Sequence, residues 1–469
     1  MGKHTELIDG GLRSLVGTRK FYKKVLLVAV PIMIQNGITN FVSLLDNIMV
    51  GQVGTEQMSG VAIANQLVFI FNLCIFGAVA GAGILSAQFY GSGNAEGVRD
   101  TFRFKLLFGV ILSAIFAVIF LTVGEPLIQQ FIHQGEGIGD LEATRSYGKA
   151  YLEVIVIGIL PFALTQCYSG TLRETGETVI PMIGGIIAVC VNLVFNYILI
   201  FGKLGAPELG CVGAAIATVL SRFVELAIVA GWTHKHVARN PFIRGALRSF
   251  KIPGSLLKQI VAIGLPLFIN ELMWSFGITF MTQCYSVRGL EVVAAFNIAN
   301  TISNVFNVVF LSLGNAVGII IGQMLGAGRL EEAKREDKQL IAFSVFCCFL
   351  TGAMLILLSP LFPRMYNTEE IVKGLATQLI FITGCCQPLY GFVHGTYFTL
   401  RAGGKSVVTF LFDSTYMWVI PIPIVFALAR FTAIPVQLVY RLAELSNLIK
   451  CIVGYVLVKR GVWIKNIVD

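Results

Sequence analysis

Apolar runs long enough to span a bilayer recur about twelve times along the 469 residues, from 25–50 at one end to 435–458 at the other. This repetition constrains the chain more than any single motif. Hydrophobic residues make up 56% of it and charged residues 13%, with a mean hydropathy of +0.79. Soluble domains carry about 25% charged residues, and no soluble core could hide this much apolar surface. The expected class is therefore an all-α integral membrane protein. The composition excludes a nucleic-acid binder, a disordered chain and a small disulfide scaffold. The ten Cys fall mostly inside apolar runs, as in Cys347-Cys348 and Cys385-Cys386. They read as small reduced hydrophobes.

The first run follows Arg19, Lys20, Lys23 and Lys24. It is too long for a signal peptide and has no small-residue cleavage site, so it reads as the first membrane helix. With twelve helices, the loops on the amino-terminal side hold 25 Lys and Arg, and those on the other side hold 7. That bias predicts both termini in the cytoplasm. It also accounts for the net charge of +9 without an anionic partner.

The chain repeats itself. Shifted by 235 positions, Pro31 meets Pro266, Ile63-Ala64-Asn65 meets Ile298-Ala299-Asn300, and Gln88, Gly91 and Gly93 meet Gln323, Gly326 and Gly328. Further on, Leu172-Arg173 matches Leu400-Arg401, and Arg222-x-x-Glu225 matches Arg441-x-x-Glu444. Each half then holds six helices. Six is even, so the halves are parallel repeats related by a pseudo-twofold axis along the membrane normal. The expected organisation is a cytoplasmic segment 1–24, a lobe 25–233, a linker 234–254, a lobe 255–458 and a cytoplasmic tail 459–469. Two such bundles suit alternating access.

Charged residues inside spans are few and need a reason, because a charge at a helix centre costs about 2.5–3.5 kcal/mol on insertion scales. In helix 1, Gln35, Thr39, Ser43 and Asp46 recur at helical spacing beside Asn36, Asn40 and Asn47. A face this polar lines a cavity or a packed polar interior. Helix–helix bonding explains the amides and hydroxyls. It explains an ionisable Asp46 poorly, so Asp46 is expected to be functional, with Gln35, Asn36 and Thr39 in the cavity.

Helix 7 keeps the polar row with Glu271, Ser275 and Thr282, and Trp274 lies one turn from Glu271. A carboxylate beside an indole suits an aromatic cation, and a protonated Glu bonded between helices is an equal alternative. Asn192 and Asn196 share a face of helix 5 and could join Asp46 around a proton or a Na⁺ ion, with Asp46 and Asn192 as ligands in the Na⁺ case. Asp413, early in helix 11 with Tyr416 and Met417 one turn on, suits either the substrate cavity or a pairing with a neighbouring helix. The two Arg-x-x-Glu pairs read as structural, and His394 as a satisfied polar group. No Walker loop, Gly-x-Ser-x-Gly or His-Glu-x-x-His is present. No cofactor or enzyme activity is expected, and energy would come from an ion gradient.

These residues resemble the multidrug and toxic compound extrusion (MATE) family over essentially the whole chain. The carriers are Leu45-Asp46-Asn47-Ile48-Met49-Val50-Gly51 in helix 1, Gln88-x-x-Gly91-x-Gly93-Asn94 with its echo from Gln323, Leu172-Arg173-Glu174-Thr175-Gly176, Leu400-Arg401-Ala402-Gly403-Gly404, and Gly213-Ala214-Ala215-Ile216-Ala217-Thr218. The resemblance implies a V-shaped pair of lobes and cation-coupled antiport of small organic, often cationic, compounds. It implies Asp46 as the coupling carboxylate, with Asn192, Asn196 and Thr218 beside it. Many relatives have Asp where this chain has Asn196, so the site carries one negative charge fewer and favours protons over Na⁺. A monomer in the lipid bilayer is expected. A lipid-linked saccharide flippase would need a cavity rich in Arg and Lys, and Arg222 and Arg441 each have a Glu nearby. A membrane enzyme or receptor would need a reactive cluster or a soluble domain.

Overall fold

The computed structural model describes residues 15–131 and 140–468. Residues 1–14, within the expected amino-terminal segment, and Asp469, in the expected tail, lie outside the described residues, as do the side chains of Ser43, Leu44, Asn47, Gln130 and Phe131. The described residues are mainly helical, with no strand. The helices are α1 (Arg19–Gly51), α2 (Thr55–Gly91), α3 (Ala95–Phe131), α4 (Leu141–Glu174), α5 (Val179–Ile200), α6 (Gly210–Lys235), α7 (Gly254–Ser286), α8 (Leu290–Gly326), α9 (Leu330–Leu358) and α10 (Glu370–Ala402). They are followed by α11 (Ser406–Phe431) and by α12, built from Val436–Leu445 and Asn447–Lys459. Ten of the described helices are long and apolar enough to cross a membrane. The other two are α10, which carries Gln378, Gln387 and His394, and α12, which is divided at Ser446.

The repeat is visible in the helix bounds. Adding 235 to α1 and α2 reproduces the bounds of α7 and α8 residue for residue, and Pro31 and Pro266 lie inside the equivalent helices. The packing of α3 on α4 and of α6 on α4 has counterparts in α9 on α10 and α12 on α10. The halves are thus two related six-helix sets.

Contacts divide the described chain into two compact units. One holds Met33 and the residues before it, Ala87–Gly93 and Val261 onward; the other holds Ile34–Ser86 and Asn94–Ile260. The division of α1 falls two residues beyond Pro31. Within the first unit, the ends of α2 and α8 cross at glycine. A Cβ on Gly91 would run into the Gln323 carbonyl, and a Cβ on Gly326 into the Gln88 carbonyl. The two glycines are equivalent in the repeat, so one requirement for a missing side chain is met twice. Small residues let helix backbones approach where apolar side chains give no drive against lipid.

Buried polar groups are bonded inside each unit. Lys105 Nζ lies 2.5 Å from Glu174 Oε2 and 3.1 Å from Thr171 Oγ1. Gln88, fully buried, donates to the Ala402 carbonyl at 2.9 Å and accepts from Ile467 N at 2.9 Å. The tail after α12 is thereby docked, and its Trp463 is buried. Among the described residues the ten cysteines are free thiols.

Candidate ion-coupling site

In the Ile34–Ser86 and Asn94–Ile260 unit, Asp46 of α1 meets α5. Asn196 Nδ2 donates to Asp46 Oδ1 at 2.5 Å and lies 3.2 Å from the side-chain amide of Asn192. Asn192 satisfies its surroundings best with its amide nitrogen toward Asp46, donating to Oδ1 at 3.0 Å. Its other end lies 3.3 Å from Thr218 Oγ1 on α6. Both asparagines are buried. Their spacing of four places both amides on the α5 face turned to α1. The structure therefore brings Asp46, Asn192, Asn196 and Thr218 together.

Asp46 and Thr218 border a cavity of about 280 Å³. Its other polar lining is Asn65, Asn72, Tyr151 and Arg222, and Phe69, Phe71 and Phe162 supply aromatic walls. Tyr151 donates to Asn65 Oδ1 at 3.3 Å. The Arg222 guanidinium sits 4.6 Å from the Phe162 ring centre and 3.8 Å from Glu225. The cavity is thus lined by an anionic side chain, a cationic side chain and aromatic rings. Tyr151 and Asn65 were not singled out from sequence. Asn65 belongs to the repeated Ile-Ala-Asn, which was the signal available.

The remaining candidates on α1 are spread out. Gln35 accepts from Arg173 Nη2 at 2.6 Å, a bond to α4. Thr39 is exposed and donates to the Gln35 carbonyl, and Asn36 is half-buried. In the other half, Arg401 Nη1 lies 4.0 Å from Glu271 Oε1 on α7. Arg173 and Arg401 are the arginines of the two Leu-Arg motifs, and Gln35 and Glu271 differ by one position in the repeat. Each motif arginine therefore reaches the opening helix of its own half.

Glu271 also accepts from Tyr397 Oη at 3.3 Å, and Trp274 is 45% exposed. Asp413 stands in a π-helical turn, Leu411–Thr415, where it accepts from Lys450 Nζ at 2.7 Å and from Asn270 Nδ2 at 3.1 Å. Lys450 is visible in the sequence as a cation inside a span, but its partner is not. The two Arg-x-x-Glu motifs diverge. Arg222 keeps to Glu225, whereas Glu444 is held by the Tyr390 hydroxyl and by Asn447 Nδ2.

The MatE family model matches residues 31–198 and 266–426. The probable multidrug resistance protein NorM of Thermotoga maritima is 26% identical over 412 residues, covering 87% of this chain and 86% of its own length. The multidrug resistance protein MdtK of Edwardsiella ictaluri is 26% identical over 370 residues, 78% of each chain. Among solved structures, an outward-facing multidrug resistance MATE family transporter of the MOP superfamily gives a TM-score of 0.85 at 21% identity, over 96% of this chain and 97% of that one. A MOP superfamily transporter from Pyrococcus furiosus gives 0.84 at 21% identity, over 96% and 97%. At that identity the likeness is one of fold.

Proposed function

Because the chain belongs to the MatE family, whose members are membrane transporters and not enzymes, we propose that it exports small organic, often cationic and amphipathic, compounds in exchange for a cation by alternating access. The observation that carries this reading is the Asp46 carboxylate, held by two buried amides at the edge of a cavity inside a membrane lobe. An ionisable group so placed costs energy unless its charge is used. It takes a proton when open to one side of the membrane and releases it when open to the other.

The coupling ion is proposed to be the proton. Asn196 turns an N–H toward Asp46, so it neither adds a second negative charge nor offers an oxygen ligand in this arrangement. Hard cations such as Na⁺ need several oxygens. Protonation removes the charge that Asn192 and Asn196 solvate, and Thr218 then exchanges partners with Asn192. Gln35, Asn36, Thr39, Glu271 and Trp274 are proposed to contact the substrate. Location in a bacterial cytoplasmic membrane is supported by the bacterial relatives, and placement of both termini inside by the Lys and Arg bias of 25 to 7. Both halves of the repeat lie in one chain, which supports a monomer as the working unit.

The test is efflux of a fluorescent organic cation from vesicles holding the purified protein, with a proton gradient or a Na⁺ gradient imposed separately. Efflux driven by the proton gradient alone is expected. Efflux that responds only to Na⁺ would reassign the ion, and no response to either would overturn the antiport reading.

A further inference from the structure

In the unit that holds the carboxyl-terminal helices, the Lys450 side chain rests in surroundings an ammonium ion would select. Its Nζ lies 2.7 Å from Asp413 Oδ1, 5.2 Å from the Phe412 ring centre and 5.6 Å from that of Tyr416. A carboxylate with two aromatic faces is the standard way to hold an organic cation. The carboxylate is also positioned independently of the lysine. Asn270 Nδ2 donates to Asp413 Oδ2 at 3.1 Å, while Asn270 Oδ1 accepts from Ser414 N at 3.2 Å and from Ser414 Oγ at 2.8 Å.

The backbone is specialised at the same place. Asp413 and Phe412 lie in the π-helical turn of α11, and Tyr416 follows it directly. Such turns give up regular helix bonding and cluster at functional sites. Lys450 is the adaptable member: its ammonium rides on a four-carbon stem from α12. Lys450 is almost wholly covered, whereas the Asp413 side chain keeps 19% of its exposure. The carboxylate side of the pair is therefore reachable.

We propose that Asp413, Phe412 and Tyr416 form a binding site for an organic ammonium group, which Lys450 fills from within the chain. The lysine acts as a tethered competitor. A cationic compound enters the site by displacing it, and compounds that bind the carboxylate more weakly are turned away. None of these residues belongs to the Asp46 cluster, and the proposal rests on the export reading only in taking the cargo to be cationic.

The test uses the full-length protein in detergent with no gradient, so a failure of coupling at Asp46 leaves it unaffected. Lys450→Met keeps the stem and removes the charge. It should bind a fluorescent alkylammonium probe at least about tenfold more tightly than the parent protein, and Asp413→Asn added to it should abolish the gain. Its thermal midpoint should also rise more in ethylammonium chloride than in sodium chloride at equal concentration, with no such difference in the double variant. Unchanged probe affinity, or equal stabilisation by both salts, would overturn the site. Should Lys450→Met fail to fold even in ethylammonium while the double variant folds, the pair is an inaccessible structural ion pair and the proposal falls.

Discussion

Asn196 Nδ2 and Asp46 Oδ1 stand 2.5 Å apart although 150 positions separate the residues in the chain. The bond joins α1 to α5 and directs a buried amide at an intramembrane carboxylate. It is the contact through which a change of charge at Asp46 would reach the rest of its lobe.

Replacing Asp46 by Asn fixes the site in its uncharged form. Asp46→Asn should fold and insert, because an amide fills the same volume and still accepts from Asn196. It should reduce gradient-driven efflux from vesicles to the leak of empty ones. Efflux at parental rates would refute the coupling role.

Asn196→Asp puts a second carboxyl group beside the first. Two carboxylates at hydrogen-bond distance share one proton or bind a metal cation. Na⁺ should then stimulate efflux by the variant more than by the parent, read as the ratio of the two gradient-driven rates. Asn196→Ala leaves Asp46 without that donor. The variant should lose about 1–3 kcal/mol of stability, read in a detergent melt.

Glu271→Gln keeps the bond from Tyr397 and removes the charge facing Arg401. If Glu271 serves the cargo, export of cationic compounds should fall more than export of neutral ones. An equal fall for both, with a lowered melting point, would make it a structural partner of Arg401.

Gly91→Ala and Gly326→Ala each place a methyl group against a backbone carbonyl that cannot swing away. Each should cost about 1–3 kcal/mol, the usual range for overpacking. The two positions are equivalent in the repeat and meet each other's helix, so the double variant should deviate from additivity. Thermal melts of the two singles and the double check both statements.

Trp463→Ala removes the largest fully buried side chain of the tail. A loss of about 3–5 kcal/mol is expected. Proteolysis should then release the segment that Gln88 holds through Ile467 N and the Lys465 carbonyl. An unchanged digestion pattern would show that Gln88 alone suffices.

The sequence by itself determined the membrane class, the helix count and the internal repeat. These follow from hydropathy and from a 235-residue correspondence, both of which are linear in the chain. It also singled out Asp46, because a charge in an apolar run stands out whatever surrounds it, and it placed Asn192 and Asn196 on one face through their spacing of four. Partnership was left to the tertiary structure. Lys450 and Asp413 are 37 positions apart, and Arg173 and Gln35 are 138 apart. Nothing in a periodic pattern says which helix faces which. The divergence of Glu225 from Glu444 makes the point most clearly: identical spacing led to an arginine partner in one half, and to Tyr390 and Asn447 in the other. Spacing along a helix sets which side chains share a face, whereas the ion pairs depend on the neighbouring helices. The π-helical turn at Leu411–Thr415 and the division of α12 at Ser446 were equally hidden. Both are backbone departures whose benefit is bonding to other helices, and no local propensity records that benefit.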